Sequence, residues 1–386
     1  MKTYNKLFLA IATLAFFSCK KPYTPEVTSV NSNLLVVEGT INTGADSTIF
    51  KLSRTVLVST KVATKPELAA VVTVESDANE SYPLTEKGAG IYIHTGLKVS
   101  SSKKYRVRIR TSKGTIYVSD FVESKVSPPI DKVSWDTNDN GLNVYVNTHD
   151  DAANSRYYRW EYQESWIFYA KYQSEFVFKN KEIVQRDYTT EDIYQCWAGS
   201  TSSTIVLGSS VKLAKDVINK APLTSIGSSS EKVSSKYSIL VKQYVLTKEA
   251  FDFWSALKKN TESLGSIFDA QPSQLTGNVH NSSNTAEPVI GYVGAGTTTS
   301  LRIFISAAEL PKWTVQYPVS CVDPDTVLIN NTRTNIKAVD VFKDPSNIAT
   351  GGVYTVTGTL EGYLRSTRTC ADCTVRGTNK RPAFWQ

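Results

Sequence analysis

The sequence predicts an all-β protein in the main: an N-terminal immunoglobulin-like β-sandwich followed by a larger β-rich domain with one or two packed helices. Three observations predict it. Short runs rich in β-branched and aromatic residues recur from Leu34 onward, with turn signals between them. One segment, opening at Thr247, carries a convincing helical period. Hydrophobic residues make up 41% and charged residues 20%, which suits a large buried core and not a disordered chain.

The chain opens with Lys2 and Lys6 ahead of an apolar run from Leu7 to Phe17. A membrane span takes about 20 apolar residues, so this run is too short to be one. It has the length of a signal-peptide core. It ends at Ser18-Cys19, a small residue directly before a cysteine. Residues 1–18 are therefore expected to be a signal peptide, with Cys19 acylated as the new N-terminus. Several acyl chains give stable attachment where one does not. Membrane lipid, held through Cys19, is thus the first expected partner. Residues 19–32 contain two prolines and no apolar period, and read as a tether.

The sandwich is assigned to residues 33–126. Its strand runs are Leu34 to Glu38, Ser47 to Leu52, Ala70 to Glu75, Ile91 to His94, Tyr105 to Arg110 and Thr115 to Val122. Asn42-Thr43-Gly44, Asp77-Ala78-Asn79, Lys87-Gly88-Ala89-Gly90 and Lys113-Gly114 supply turns. Tyr105 to Arg110 alternates apolar residues with Arg, as a half-buried strand does. Leu97 to Tyr105 reads as an edge-to-core turn. Ser127-Pro128-Pro129 breaks the pattern and sets the boundary.

The second domain is assigned to residues 130–386. Asp131 to Trp135 and Gly141 to Asn147 read as a hairpin. Tyr157 to Tyr172 is dense in aromatics, and Tyr158, Trp160 and Tyr162 share one parity, as do Trp166, Phe168 and Ala170. The plain reading is a buried sheet face. The alternative makes Tyr158, Trp160, Tyr162 and Trp166 an exposed interaction surface. In the helix, Thr247 is the cap, Ala250, Phe253, Trp254, Leu257 and Leu264 follow the period, and Gly265 ends it. Smaller helical turns are expected near Val211 to Ile218.

The residues give little chemistry. Net charge is +7 and spread along the chain, which argues against a nucleic-acid partner. With Cys19 used for lipid, Cys196, Cys321, Cys370 and Cys373 remain, an even number in an exported chain, so two disulfides are expected. All three connectivities are open. Cys370-Ala-Asp-Cys373 has redox or half-zinc spacing, but it follows a strand run, Leu360 to Thr367, and lacks a second ligand pair. The chain has three histidines, His94, His149 and His280. His149-Asp150-Asp151 is the one acid–imidazole cluster, and it sits where Asp and Asn make turns. Gly291 to Ser300 has phosphate-loop glycines without the Gly-Lys-Ser/Thr ending, and reads as a hairpin. No cofactor, metal or catalytic residue is expected, and the protein is expected not to be an enzyme.

The stretch Ser235 to Trp254, with Gly265 to Asp269, Pro272-Ser273, Leu275 to Asn278, Val289 to Val293, Cys370 to Cys373 and Gly377 to Trp385, resembles the Bacteroidota lipoprotein family of domain of unknown function 4249. With the lipidated start and the N-terminal sandwich, the resemblance covers essentially the whole chain after the signal. It implies an outer-membrane lipoprotein that accompanies a TonB-dependent transporter as a lid, substrate receptor or assembly factor. It implies no catalytic residues. Phe251, Phe253 and Trp254 are expected to anchor the helix, Pro272, Gly277 and Gly291 to shape turns, and Phe384 and Trp385 to lock the tail. Lys20 and Lys21 follow Cys19 where relatives often carry acids, which leaves open whether the body faces outward or toward the periplasm. A scaffold or adhesin-like module without a transporter is the alternative, and a hydrolase the more distant one.

Overall fold

The computed structural model describes residues 33–56, 65–262, 277–317 and 321–385. The signal, Cys19, the tether, Leu264, Gly265 and the motif residues up to Thr276 lie outside them. The first nine strands are β1 (Leu35–Asn42), β2 (Thr48–Arg54), β3 (Lys65–Pro66), β4 (Val71–Ser76), β5 (Ser81–Glu86), β6 (Ile91–His94), β7 (Lys104–Arg110), β8 (Ile116–Ser119) and β9 (Val122–Lys125). Then come β10 (Ile130–Asn138), β11 (Gly141–His149), β12 (Tyr157–Tyr169), β13 (Phe176–Lys179), β14 (Glu182–Gln185), β15 (Gln195–Thr201), β16 (Val206–Ser209), β17 (Val217–Gly227) and β18 (Lys236–Val245). Helix α1 (Lys248–Glu262) precedes β19 (Val279–Asn281), β20 (Gly294–Gly296) and β21 (Thr298–Ser306). The chain finishes with β22 (Asp325–Leu328), α2 (Ala338–Phe342), β23 (Asn347–Tyr354), β24 (Leu360–Thr367) and α3 (Arg368–Ala371). The all-β class holds.

The N-terminal strands form two layers around Leu35, Phe50, Leu52, Val74, Tyr92, Tyr105, Val107 and Ile109. Tyr105, the second residue of β7, donates its hydroxyl to Ser100 O at 2.7 Å, the corner contact of immunoglobulin-like sandwiches. The layers are also bonded at their edges. β20 inserts in parallel between β1 and β9, and β9 pairs with β7, which closes the path into a small barrel. β19 extends the sheet beyond β8.

This corrects the boundary at Pro128. The N-terminal unit is not residues 33–126 alone, because Val279, Val289, Val293 and Ala295 complete its core. The Gly-rich stretch after Gly291 is correspondingly not a hairpin: β20 belongs to the barrel, and β21 to another sheet. The return needs close backbone approach. A Cβ on Gly291 would lie 2.1 Å from Val37 O, and one on Gly277 would lie 1.8 Å from Gly291 O.

The break at Ser127-Pro128 is pinned as well. Thr297 Oγ1 accepts from Ser127 N at 2.9 Å, and Pro128 O accepts from Gln243 Nε2 and from Thr299 Oγ1, both at 2.9 Å. Sequence alone could show the loss of alternation but not these contacts from far along the chain.

The second unit holds an open sandwich. The β10–β11–β17 sheet packs on the β15–β12–β18–β21 sheet, with β16 added to β12. The β10–β11 hairpin is as expected, Asn138 facing Gly141. Val211 to Ile218 is a turn running into β17, not helical, which corrects that expectation. A third, smaller core of Ala338, Phe342, Ala349 and Tyr363 joins β22–β24–β23, α2 and the β13–β14 hairpin.

Candidate functional site

Strand β12 runs through the middle of the larger sheet, and its two faces have different fates. Tyr158, Trp160, Tyr162 and Trp166 are between 0% and 9% exposed, inside the sandwich core. They are not an interaction surface, which corrects the alternative reading. The cause is the second sheet: Val133, Leu142, Val144, Ile218 and Leu223 cover that face. Two of the polar ends on it find partners, while the buried Trp166 Nε1 has none. Trp160 Nε1 donates to Gln243 Oε1 at 2.9 Å, and Tyr158 OH to Asp216 Oδ1 at 3.0 Å. Glu164 interrupts the aromatic row and accepts from Lys232 Nζ at 2.6 Å, Tyr237 OH at 2.8 Å and Ser200 Oγ at 2.8 Å. Burial and Glu164 together push the Tyr237 phenol far above its usual value, so it remains a donor.

The outer face is covered only at its ends. At one end lies α1, whose Thr247 Oγ1 accepts from Ala250 N at 3.2 Å. The Arg159 guanidinium is held between the rings of Tyr244 and Trp254, 4.7 and 4.2 Å away. Phe253 is buried, and Phe251 meets Tyr157 at 5.0 Å, so the aromatics anchor the helix as expected.

At the other end lies the C-terminal tail. Trp385 is buried with Ile167 and Trp197 and meets Phe304 edge-on at 5.5 Å. Thr378 and Trp197 exchange backbone hydrogen bonds at 2.8 and 2.9 Å. The tail is stapled by Cys196–Cys373, while Cys321 pairs with Cys370. The Cys-x-x-Cys pair thus splits between two partners, the connectivity that spacing had left open.

Between helix and tail an open groove remains, about 490 Å³ in volume. The strand registers place its floor. Gln163 stands beside Thr201 and Leu240, with Arg302 next in the row. Ser165 stands beside Gly199 and Ser238, with Phe304 next. Thr378, Pro382 and Phe384 form the tail-side wall. Trp385 locks the tail, but Phe384 does not: it is 42% exposed under the Arg302 guanidinium, 3.7 Å from its ring. Arg302 also donates to Ser238 Oγ at 3.1 Å, and among the described residues it has no carboxylate partner. Burial holds its guanidinium below the usual value. The groove therefore offers small, backbone-exposing floor residues, amide and hydroxyl groups, two aromatics, Trp197 and Phe384, and one cation without a carboxylate partner. That is equipment for recognition.

The sequence reading missed this face. Its one signal was parity: Arg159, Glu161, Gln163 and Ser165 alternate with the aromatics Tyr158, Trp160, Tyr162 and Trp166.

The acid–imidazole cluster is a turn. Asp150 accepts from Ala152 N, Asn154 N and Ser155 Oγ. His149 Nδ1 pairs with Asp131 Oδ2 at 2.7 Å, and its Nε2 stands 3.8 Å from Asp151 Oδ2, all in the open. That carboxylate raises the imidazole above its ordinary pKa. Among the described residues no three His, Cys, Asp or Glu side chains are grouped to hold a metal ion, and no helix is long and apolar enough to cross a membrane.

A closed barrel joined to a sandwich with one grooved outer face defines a mainly β protein. The chain belongs to the family described as "Domain of unknown function (DUF4249)", whose model matches residues 20–302. That span includes β12, α1 and β20, and stops at Arg302, before the tail that walls the groove. A search of the curated proteins found no match.

Proposed function

We propose that this protein is a lipid-anchored binding module of the bacterial outer membrane that works by holding a partner, not by turnover, and that the partner is a TonB-dependent transporter or its cargo. One observation carries the reading: the outer face of the β15–β12–β18–β21 sheet is open between α1 and the tail, and Arg302 there lacks a counter-charge. A signal-like start ending at Ser18-Cys19 supports export and anchoring. Two disulfide pairs suit an oxidising compartment. The resemblance to lipoproteins that accompany such transporters supports the choice of partner.

The test is an affinity pull-down of the acylated protein from cross-linked native outer membranes, with mass spectrometry of what is recovered. A transporter should be captured by the native chain and lost with Arg302→Glu. Capture unchanged by that variant removes the groove from the interface. Repeated recovery of no transporter favours the scaffold alternative. Hydrolysis of a peptide or glycan, abolished by one carboxylate substitution, overturns both.

A further inference from the structure

A second cavity, of about 330 Å³, lies in the smaller C-terminal unit, away from the groove residues. Phe176 and Phe178 of β13 and Phe342 at the end of α2 give it aromatic walls. Arg186, Lys343 and Arg368 also line it, against a single acid, Asp372. That acid is already engaged: it accepts from Arg368 Nε at 2.9 Å and from Thr374 N at 2.9 Å. Lys343 is exposed at the rim, with no side-chain partner among the described residues.

Arg186 is the unusual group. It is half-buried, and its hydrogen bonds go to neutral oxygens: Nε to Ser174 Oγ at 3.0 Å and Nη1 to Glu191 O at 3.2 Å. The Glu191 carboxylate itself pairs with Lys179. Among the described residues, no carboxylate stands within ion-pair distance of the Arg186 guanidinium. Buried charges are ordinarily paired. The side chain is also fixed in place, since Ser174 is buried and donates to Ala349 O at 3.1 Å. Burial lowers the guanidinium's pKa, against the pull of Glu191 and Asp372. A guanidinium carries five N–H donors, and most of these remain available here.

We propose that this cavity binds a small organic acid, its carboxylate taken by Arg186 and Lys343 and its apolar part lying against Phe176, Phe178 and Phe342. The volume fits the lower range of small-molecule sites, about 300–1,000 Å³. A guanidinium matches a carboxylate with two parallel hydrogen bonds, and the rings accept an aromatic or branched group. A free acid and the terminal residue of a peptide both present this chemistry.

The test is calorimetric titration of the detergent-solubilised full chain with two acids, 3-phenylpropionate and acetyl-glycyl-phenylalanine, and with the amide of each. At least one acid should bind, with its amide about tenfold weaker or worse. Binding of 3-phenylpropionate alone assigns a free acid; binding of the peptide alone assigns a chain terminus; binding of both supports the shared chemistry. Arg186→Gln should abolish binding. Because that change could loosen the Ser174 contacts, Lys343→Glu at the exposed rim is the second variant, expected to weaken binding about tenfold with the fold intact. Arg302→Glu in the groove should leave it unchanged, so this site and the transporter-binding groove fail or stand separately. No binding by either acid, equal binding of acid and amide, or undiminished binding by Lys343→Glu overturns the proposal.

Discussion

The two faces of β12 carry residues from the same thirteen-residue strand, yet one became core and the other became surface chemistry. On the inner face Tyr158, Trp160, Tyr162 and Phe168 meet a complete second sheet. On the outer face the equivalent rows meet α1 at one end, the tail at the other, and solvent between them. Alternation decides which residues share a side of a strand. It does not decide which side a distant segment will cover. Aromatic density therefore marked the core, and the groove fell on the plainer side, where Gln163, Ser165 and Gly199 leave room.

The largest break in the comparison should come from Trp160→Ala. It opens a cavity in the inner core and leaves Gln243 Oε1 without its donor. We expect a loss of about 3–5 kcal/mol in urea unfolding. Gln163→Ala, three positions along on the outer face, should stay within about 0.5 kcal/mol. Comparable losses from both would mean that the outer face is packed too.

Cys373→Ala comes next. It frees the tail from Cys196, with an expected cost of about 2–4 kcal/mol and faster amide exchange over 376–385. Unchanged exchange there would show that Trp385 and the Thr378 bridge hold the groove wall without the staple. Glu164→Gln should cost about 1–3 kcal/mol, because Lys232 and Tyr237 lose a charged acceptor inside the inner face. A neutral outcome would show that the carboxylate adds nothing over an amide.

The smallest effect lies outside both faces, at His149. Its pKa is raised in the folded state by Asp131, so the pair's contribution is present below the ordinary histidine pKa and fades as pH rises through the raised value. Titration by nuclear magnetic resonance should show the raised value, and Asp131→Asn should lower it toward the ordinary one, with Asp150 and Asp151 still raising it. An unchanged value in that variant would assign the shift to another charge.

Much of the fold was legible because local rules decide it. The alternation in Tyr105 to Arg110, the β10–β11 hairpin and the Thr247 cap all depend on near neighbours. The return of β19 and β20 into the barrel was not legible, because its cause is edge bonding between residues far apart in sequence, such as Ile41 and Ala295. The groove was hidden for a related reason. Its wall comes from the distant tail, and its cation comes from Arg302, inside a strand run that otherwise reads as core. The disulfide count was readable from the cysteines; the pairing needed the placement of Cys196 on β15 against the tail turn that carries Cys373.

The most direct measurement is site-specific photo-crosslinking on cells, with a benzoylphenylalanine residue placed at exposed Gln163 in the groove or at exposed Lys87 in a barrel turn. The groove position should capture a transporter-sized partner, identified by mass spectrometry, and the barrel position should not. Equal capture from both positions, or capture from Lys87 alone, would contradict the assignment of the outer face of β12 as the recognition surface.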